Sequence, residues 1–405
     1  MAKENDKKLT PAMRQFHRFK DRYPEAILFF RMGDFYETFY EDAKTCSRVL
    51  GLTLTSRSKD TNPIPLAGIP YHAAENYLKK LLKAGYKVAV CEQIEDPRQA
   101  KGVVKRDVVR VLTPGTLTDD VMLEPKQENF LAAVSLSKDS TAAIAWVDIS
   151  TGRFLTQSLP EQNLLDELLR LTPAEIIFPD RRGELFEAQQ KKLTDQISRI
   201  TSATITYRPA WYFDPYQARK RLLKHFAVAT LEGFGFTDSE PAIPAAGAVI
   251  EYLNETQKTT LSHIRSIKKL DRSKFLGLDP ATLRSLEILT PLRTESQKAT
   301  LLYCLDQSLT GMGGRMFRNW LTMPLAEIDA IQLRLDAVEN LKKATSKLSR
   351  LRDLLSDIFD IERIAARLST FRANPRDLLA LACTLRKIPD LRELTGSFDA
   401  DLLKS

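Results

Sequence analysis

The feature that most constrains the fold of this chain is a change in hydrophobic spacing near Ile264. Before that residue, short apolar runs typical of strands alternate with helical spacing, whereas beyond it leucines recur at the three- and four-residue intervals of helices. A chain of 405 residues is also too long for one hydrophobic core. The sequence therefore predicts a multidomain protein in which two mixed α/β domains precede an all-α region.

Composition narrows the class of protein. Hydrophobic residues make up 43% of the chain and charged residues 28%, which is a globular balance. The longest apolar runs, such as Ala26 to Phe30, are far shorter than a bilayer span, and the first residues do not resemble a signal peptide. We therefore expect a cytoplasmic protein with no membrane partner.

The cysteines and histidines argue against metal or thiol chemistry. The four cysteines and four histidines are dispersed, with no CxxC pair and no metal-ligand spacing.

The net charge of +8 is compatible with a polyanionic partner, and the excess of positive charge is concentrated near the start of the chain. Between Met1 and Asp120 there are 21 Lys and Arg against 16 Asp and Glu, so a nucleic-acid surface is expected there first.

Residues 1–115 are predicted to form the first mixed α/β domain. Pro63 to Pro70 is punctuated by proline and glycine and is assigned no regular element, and the polar stretch Ser58 to Asn62 is predicted to be a loop that can reach a ligand. The predicted helices are Pro11 to Asp21, Tyr40 to Leu50 and Ala73 to Lys83. The predicted strands are Ala26 to Met32, Leu52 to Arg57, Tyr86 to Glu92 and Val103 to Leu112.

Residues 116–128 are predicted to be a linker, and residues 129–263 a second α/β domain. This domain is expected to begin with an antiparallel meander of three strands, Phe130 to Leu136, Thr141 to Val147 and Arg153 to Ser158. A buried strand, Ala174 to Phe178, is expected to end at Pro179. The predicted helices are Glu161 to Leu171, Pro215 to Phe226 and Ala246 to Leu253.

Residues 264–405 are predicted to be a helical bundle or lever. The chain ends here without a compact closing element, so we expect it to be cut from a larger protein. The predicted helices are Ala281 to Leu289, Leu301 to Ser308, Gly314 to Leu321, Ala326 to Lys343 and Ser346 to Phe371.

The pair Phe35 and Glu37 is the most distinctive candidate for a binding site. In an extended chain, residues two apart point to the same face, so these side chains are expected to lie side by side while Tyr36 turns inward. An exposed aromatic ring can wedge between base steps, and a neighbouring carboxylate can reward a base with a free or protonated edge. The alternative is that Phe35 packs in the core or at its rim, as aromatic residues at strand ends commonly do.

Neighbouring polar residues favour a DNA surface around this pair. Arg31, Arg57, Ser58 and Lys59 lie at predicted strand ends or in loops, where cations and hydroxyls can hold phosphates. Taken singly, each of them is more simply explained as a solvated surface residue. His72 can donate to a backbone oxygen, or it can pack at the start of the following helix.

Four sequence blocks in this order resemble the mismatch-recognition domain of the bacterial MutS family. They are Phe29 to Glu37 (FFRMGDFYE), Leu66 to His72 (LAGIPYH), Cys91 to Gln93 (CEQ) and Val109 to Thr116 (VRVLTPGT). The resemblance continues through Gly311 to Arg315 and Trp320 to Leu325, and so covers essentially the whole chain.

The resemblance implies a fold and a function. It implies a mismatch-recognition domain, an RNase H-like connector domain and a helical core or lever region. It also implies that Phe35 inserts at a mispair in double-stranded DNA, that Glu37 bonds the mispaired base, and that Met32, Arg57 and His72 line the same surface.

The same resemblance implies partners and cofactors for the full-length protein. Family members are homodimeric ATPases that use ATP and Mg²⁺ and act with a MutL-type repair protein. This chain contains no GxxxxGK followed by Ser or Thr, so we expect no ATP site, no other cofactor and no enzymatic activity in it.

Two other functions stay open. An RNase H-like connector raises the possibility of a nuclease, with Asp148 at a strand end, but the sequence shows no converging carboxylates around it and a turn acid is the simpler interpretation. Alternatively, the chain is a scaffold that binds repair partners and relays the state of the DNA to an ATPase domain, without strong DNA binding of its own.

Overall fold

The computed structural model describes residues 10–56, 63–95, 102–137, 139–180, 184–237, 239–294 and 296–404. Within these residues the chain forms two mixed α/β domains, each built on its own six-stranded sheet, and then a helical region. This confirms the fold class that the change in hydrophobic spacing predicts. The exact domain boundaries remain predictions, and the second sheet includes a short strand, Lys268–Lys269, beyond residue 263.

The first sheet has the strand order β3-β4-β2-β1-β5-β6. Strands β1 and β5 are parallel and every other neighbouring pair is antiparallel. The strands are β1 (Ala26–Met32), β2 (Phe35–Phe39), β3 (Thr55–Ser56), β4 (Pro65–Pro70), β5 (Lys87–Gln93) and β6 (Arg106–Leu112). The helices are α1 (Pro11–Arg22), α2 (Tyr40–Leu50) and α3 (Ala74–Lys83).

Helix α1 covers one face of this sheet. It starts at Pro11 because the Thr10 side chain accepts a hydrogen bond from the Met13 amide, and its residues Met13, Phe16 and Phe19 are spaced to face one side. These side chains pack with residues of β1 and β5, such as Phe30. Helices α2 and α3 pack on the opposite face, so the sheet is buried between two helical layers.

Two expectations for the first domain are wrong. The stretch Pro63 to Pro70 was expected to lack regular structure, but Pro65–Pro70 is strand β4, whose residues 66–70 pair with β2. Its two prolines lie at the strand ends, where the absence of a backbone N–H group removes the fewest interstrand hydrogen bonds. The strand expected from Leu52 to Arg57 is reduced to Thr55–Ser56 in the described residues.

The second sheet has the order β11-β10-β7-β8-β9-β12. The strands that come first in the chain, β7, β8 and β9, form the predicted antiparallel meander. Strand β10 then pairs in parallel with both β7 and β11. The strands are β7 (Phe130–Leu136), β8 (Thr141–Asp148), β9 (Arg153–Pro160), β10 (Glu175–Asp180), β11 (Thr204–Pro209) and β12 (Lys268–Lys269). The helices are α4 (Leu164–Leu171), α5 (Glu184–Ile200), α6 (Pro215–Phe226) and α7 (Ile243–Gln257).

The sequence misjudged part of this domain. Strand β10 does not end at Pro179 but continues to Asp180, because its pairing with β11 extends to that end. Neither β11 nor α5 was expected. Helix α7 is longer than expected and is buried on nearly all sides against the sheet, so its sequence lacks a strong amphipathic pattern.

The last region is helical, as expected. The long helix expected from Ser346 to Phe371 is wrong, since it is interrupted between Ser356 and Ile361, where Asp360 caps a new helix by accepting from the Arg363 amide. The helix Pro375–Gly396 was not expected. The helices are α8 (Pro280–Ser285), α9 (Leu301–Leu305), α10 (Gly311–Thr322), α11 (Ile328–Lys343), α12 (Thr345–Ser356), α13 (Ile361–Ser369), α14 (Pro375–Gly396) and α15 (Asp401–Lys404).

The connecting segment, residues 116–128, is packed on one side into the first domain. Its apolar side chains Leu117, Met122 and Leu123 are buried in the core that α2 and α3 form with the sheet. On its other side, arginines of the helical region bind it. Arg315 donates to the Pro125 carbonyl at 2.9 Å, and Arg363 donates to the carbonyls of Glu124 and Gln127 at 3.1 and 2.7 Å. Two similar contacts are Arg367 with Asp120 at 2.7 Å and Arg372 with Thr118 at 2.9 Å.

Candidate nucleic-acid interface

The tip of the β1–β2 hairpin places Phe35 on the surface. Gly33, in the left-handed region with φ of +60°, and Asp34 form the turn, and Met32 pairs with Phe35 across it. The side chains of β2 alternate between the two faces of the sheet, as expected. Phe35 is 47% exposed, Tyr36 is buried on the other face, and Glu37 is half-buried on the side of Phe35. An exposed ring and a carboxylate are thus held side by side on a sheet.

Glycine at position 68 keeps the surface beside this pair open. In the β2–β4 ladder, Gly68 lies opposite Glu37, and Pro70 lies opposite Phe35. A Cβ on Gly68 would stand 3.7 Å from Cδ1 of Phe35. The sequence analysis did not single out Gly68, although recognising β4 as a strand would have placed it next to Glu37.

Arg31 lies on the opposite face of the sheet from Phe35. Its guanidinium is stacked 3.8 Å from the centre of the Tyr71 ring and lies 3.9 Å from a Glu92 carboxylate oxygen. Tyr36 donates a hydrogen bond to the same carboxylate, and burial together with Glu92 raises the pKa of the Tyr36 hydroxyl. This cluster holds the β1–β2 hairpin on the face of the sheet opposite Phe35. The sequence did not predict this role for Tyr71 or Glu92.

The other predicted site residues divide into two groups. Met32 and His72 lie at the same end of the sheet as Phe35, since Met32 pairs with Phe35 and His72 is exposed in the turn that follows Pro70. Arg57, Ser58 and Lys59 lie outside the described residues. The structure therefore brings together Met32, Phe35 and Glu37, with His72 nearby, and does not bring Arg31 to their face.

Comparisons with known proteins match nearly the whole chain to one family. Residues 10–121 match the model of MutS domain I, residues 129–265 that of MutS domain II, and residues 281–405 that of MutS domain III. The chain belongs to the MutS family. The three matched segments follow the same order as the two α/β domains and the helical region, here called domains I, II and III.

Individual MutS proteins are similar over the same span. The DNA mismatch repair protein MutS of Rhodopirellula baltica is 42% identical over 420 residues, which cover 98% of this chain and 46% of that protein. MutS of Alkaliphilus oremlandii is 42% identical, with 98% and 45% covered, and MutS of Methanosarcina acetivorans is 43% identical, with 95% and 44% covered. The chain thus spans less than half the length of the MutS relatives that it matches.

Asp148 in MutS domain II, on which the nuclease interpretation depends, is completely buried. Its Oδ1 accepts from the amide and hydroxyl of Ser150 at 2.8 and 2.6 Å, and its Oδ2 accepts from the Asn129 amide at 3.2 Å. Burial raises the pKa of Asp148 although these donors oppose the shift. The described residues contain no group of three or more His, Cys, Asp or Glu side chains placed to hold a metal ion. The geometry gives Asp148 a structural role at the end of β8.

Among the residues that the structure describes, no helix is both long and apolar enough to cross a bilayer.

Proposed function

We propose that this chain recognises mispaired bases in double-stranded DNA, with Phe35 inserting at the mispair and Glu37 hydrogen-bonding the mispaired base. Domain I is the mismatch-recognition domain of the MutS family, to which the chain belongs. The observation that carries the proposal is the position of Phe35 and Glu37, side by side on the exposed end of a sheet.

Phe35 and Glu37 would have different roles. Insertion of the Phe35 ring into a base step costs free energy because the bases must unstack, and this cost is lower at a mispaired step than at a correctly paired one. Glu37 near phosphates is electrostatically unfavourable unless its carboxylate gains a hydrogen bond. A base with a free edge supplies that bond, whereas a fully paired base does not, so the carboxylate favours the mispair.

The remaining site residues would position the duplex. Met32 and His72 lie near Phe35 and would contact the DNA beside it. Arg57, Ser58 and Lys59 would hold the DNA phosphates. Arg31 remains in the proposed set, but its stacking on Tyr71 behind the sheet favours a supporting role.

Activities of the whole protein are also proposals. By likeness to the longer MutS relatives, the full-length protein would be a homodimer that binds ATP and Mg²⁺, acts with a MutL-type protein and works in the cytoplasm. Domains I to III would then supply mismatch recognition and its connection to an ATPase domain.

The proposal is tested by titrating the chain with fluorescently labelled matched and single-mismatch duplexes at one fixed salt concentration. The variants are Phe35→Ala and Glu37→Ala, and the control is Tyr216→Ala, which removes an aromatic side chain 72% exposed on domain II. We expect Phe35→Ala to abolish mismatch preference and Glu37→Ala to reduce it while binding to matched DNA is kept or strengthened. The control should behave as the parent.

Unchanged mismatch preference in either variant would count against the roles assigned to Phe35 and Glu37. Absence of binding to either duplex by the parent chain would favour the alternative function, in which domains I to III act as a scaffold for repair partners.

A further inference from the structure

A basic groove lies on domain I between α1 and the ends of β5 and β6. Four cationic side chains and one carboxylate line it, Arg18, Arg22, Lys105 and Arg106 against Asp107, which gives a net charge of +3. The groove is separate from Phe35 and Glu37, and the sequence analysis singled out none of its residues.

Three of these cations are not neutralised by the protein. Arg18, Arg22 and Lys105 are exposed and form no ion pair with any residue that the structure describes. By contrast, Lys20 on the same helix is bound at 2.8 Å by Asp42. Exposed cations held close together repel one another, and an anion that binds all of them relieves that repulsion.

The groove lies on the same face of the sheet as the wedge. Arg106 connects the two, because its guanidinium donates to the Arg31 carbonyl at 2.7 Å and contacts the Met32 sulfur at 3.4 Å. Met32 pairs directly with Phe35. A duplex that lies across Phe35 would therefore have the groove beside it, on the same face of the sheet.

The chemistry of the groove fits phosphates better than bases. Its one aromatic residue, Phe19, is buried beneath Arg18, whose guanidinium lies 5.0 Å from the ring centre, so no ring is exposed for a base to stack on. Arg18 and Arg22 are one helical turn apart, about 6 Å along the axis. One strand of DNA presents about two phosphates over a similar rise.

We infer that this groove binds the phosphodiester backbone of the duplex beside the mispair, without reading its sequence. The inference rests on the proposed function only for the identity of the ligand. It assigns Arg18, Arg22 and Lys105 to phosphate contacts that matched and mismatched duplexes share. Asp107 opposes binding within the groove, and Glu95 accepts from the Lys105 amide at 2.6 Å beside it.

The test measures the salt dependence of binding by the full chain. Matched and mismatched duplexes are titrated over a series of salt concentrations that begins low, with the double variant Arg18→Gln/Arg22→Gln. The matched control is Lys80→Gln/Lys83→Gln, which removes two exposed cations from α3 on the opposite side of the sheet. Thermal unfolding of each variant confirms that these surface changes leave the fold intact.

We expect the Arg18/Arg22 variant to weaken binding to both duplexes about equally and to reduce the slope of log affinity against log salt by about 1 to 2. The ratio of mismatch to match affinity should not change, and Asp107→Asn should strengthen both. These outcomes separate the groove from the wedge, because Phe35→Ala alters the ratio and leaves the slope nearly unchanged.

A slope in the Arg18/Arg22 variant equal to that of the Lys80/Lys83 control would overturn the inference. So would failure of the parent to bind any duplex at low salt, where phosphate contacts are strongest. Tighter binding of an RNA duplex of the same sequence would assign the groove to RNA instead and would refute the DNA assignment.

Discussion

The ring of Phe35 lies over Gly68, with Cδ1 3.7 Å from the point where a Cβ of that residue would stand. Gly68 has no positive φ, so a side chain there is not strained by the backbone. Any side chain would, however, enter the space beside Phe35 and Glu37.

Gly68→Ala is expected to be tolerated, because 3.7 Å is an ordinary contact, whereas Gly68→Val should crowd the ring and the space beside Glu37. The free energy of unfolding of both variants should lie within about 0.5 kcal/mol of that of the parent. In duplex titrations the valine variant should lose most mismatch preference and the alanine variant little. Equal preference in the two variants would show that the space over Gly68 is not used.

Tyr36→Phe removes the hydrogen bond to Glu92 behind the hairpin. The loss of one half-buried hydrogen bond should lower the free energy of unfolding by about 1 kcal/mol. Arg31 retains Tyr71 as a stacking partner, so the hairpin should stay formed. Chemical denaturation measures the change, and a variant as stable as the parent would contradict the role given to this cluster.

Gly115→Ala tests the contact between the first domain and β10. A Cβ at this position would lie 2.8 Å from the Glu175 Cβ and 3.0 Å from the Leu131 Cδ1, both of them buried. Overpacking of this kind should cost about 1 to 3 kcal/mol. Gly277→Ala, which meets nothing within 4 Å, is the control and should not lower the melting temperature.

Arg363→Met removes the donor that holds the carbonyls of Glu124 and Gln127. Arg363 is only 2% exposed whereas Glu124 and Gln127 are exposed, so the variant loses two part-buried hydrogen bonds, at a cost of about 1 to 3 kcal/mol. Hydrogen exchange of the amides in the connecting segment should accelerate in this variant. Arg350→Met, at an exposed position of α12, should leave the exchange as it is in the parent.

Asp148 predicts a pH dependence of stability. Because burial raises its pKa, the folded protein holds the proton more tightly than the unfolded chain does. This contribution is fully present below the ordinary aspartate pKa and is lost as the pH rises through the raised value. Asp148→Asn removes it, so as the pH rises from about 4 through the raised pKa of Asp148 the variant should gain stability relative to the parent. Urea unfolding at several pH values measures this difference, which should stay constant if the carboxyl titrates normally.

Local patterns predicted much of the fold, and the limits of that prediction are physical. Strand Ala26–Met32 and helix Tyr40–Leu50 match their expected bounds because strong apolar periodicity and a terminal glycine mark them. Strand β4 was missed because its prolines imitate a loop, and their harmless position at the strand ends depends on its neighbours.

The candidate site shows the same division. Alternation along β2 was enough to place Phe35 and Glu37 together. Arg31 was expected at the DNA surface, but its stacking on Tyr71 and its contact with Glu92 join strands distant in sequence, so no local pattern could reveal them. The roles of Phe35, Glu37 and the other site residues in DNA binding remain predictions.

The packing of residues 116–128 limits how the molecule can move. Leu117, Met122 and Leu123 belong to the core of domain I, while the carbonyls a few residues later are bound by Arg315 and Arg363 of domain III. Sequence order places domain II between the other two, yet domains I and III are joined through a stretch of backbone only a few residues long. Domain I therefore cannot rotate independently of domain III, because a rotation that separates them must first break the hydrogen bonds from the buried Arg315 and Arg363 to these carbonyls.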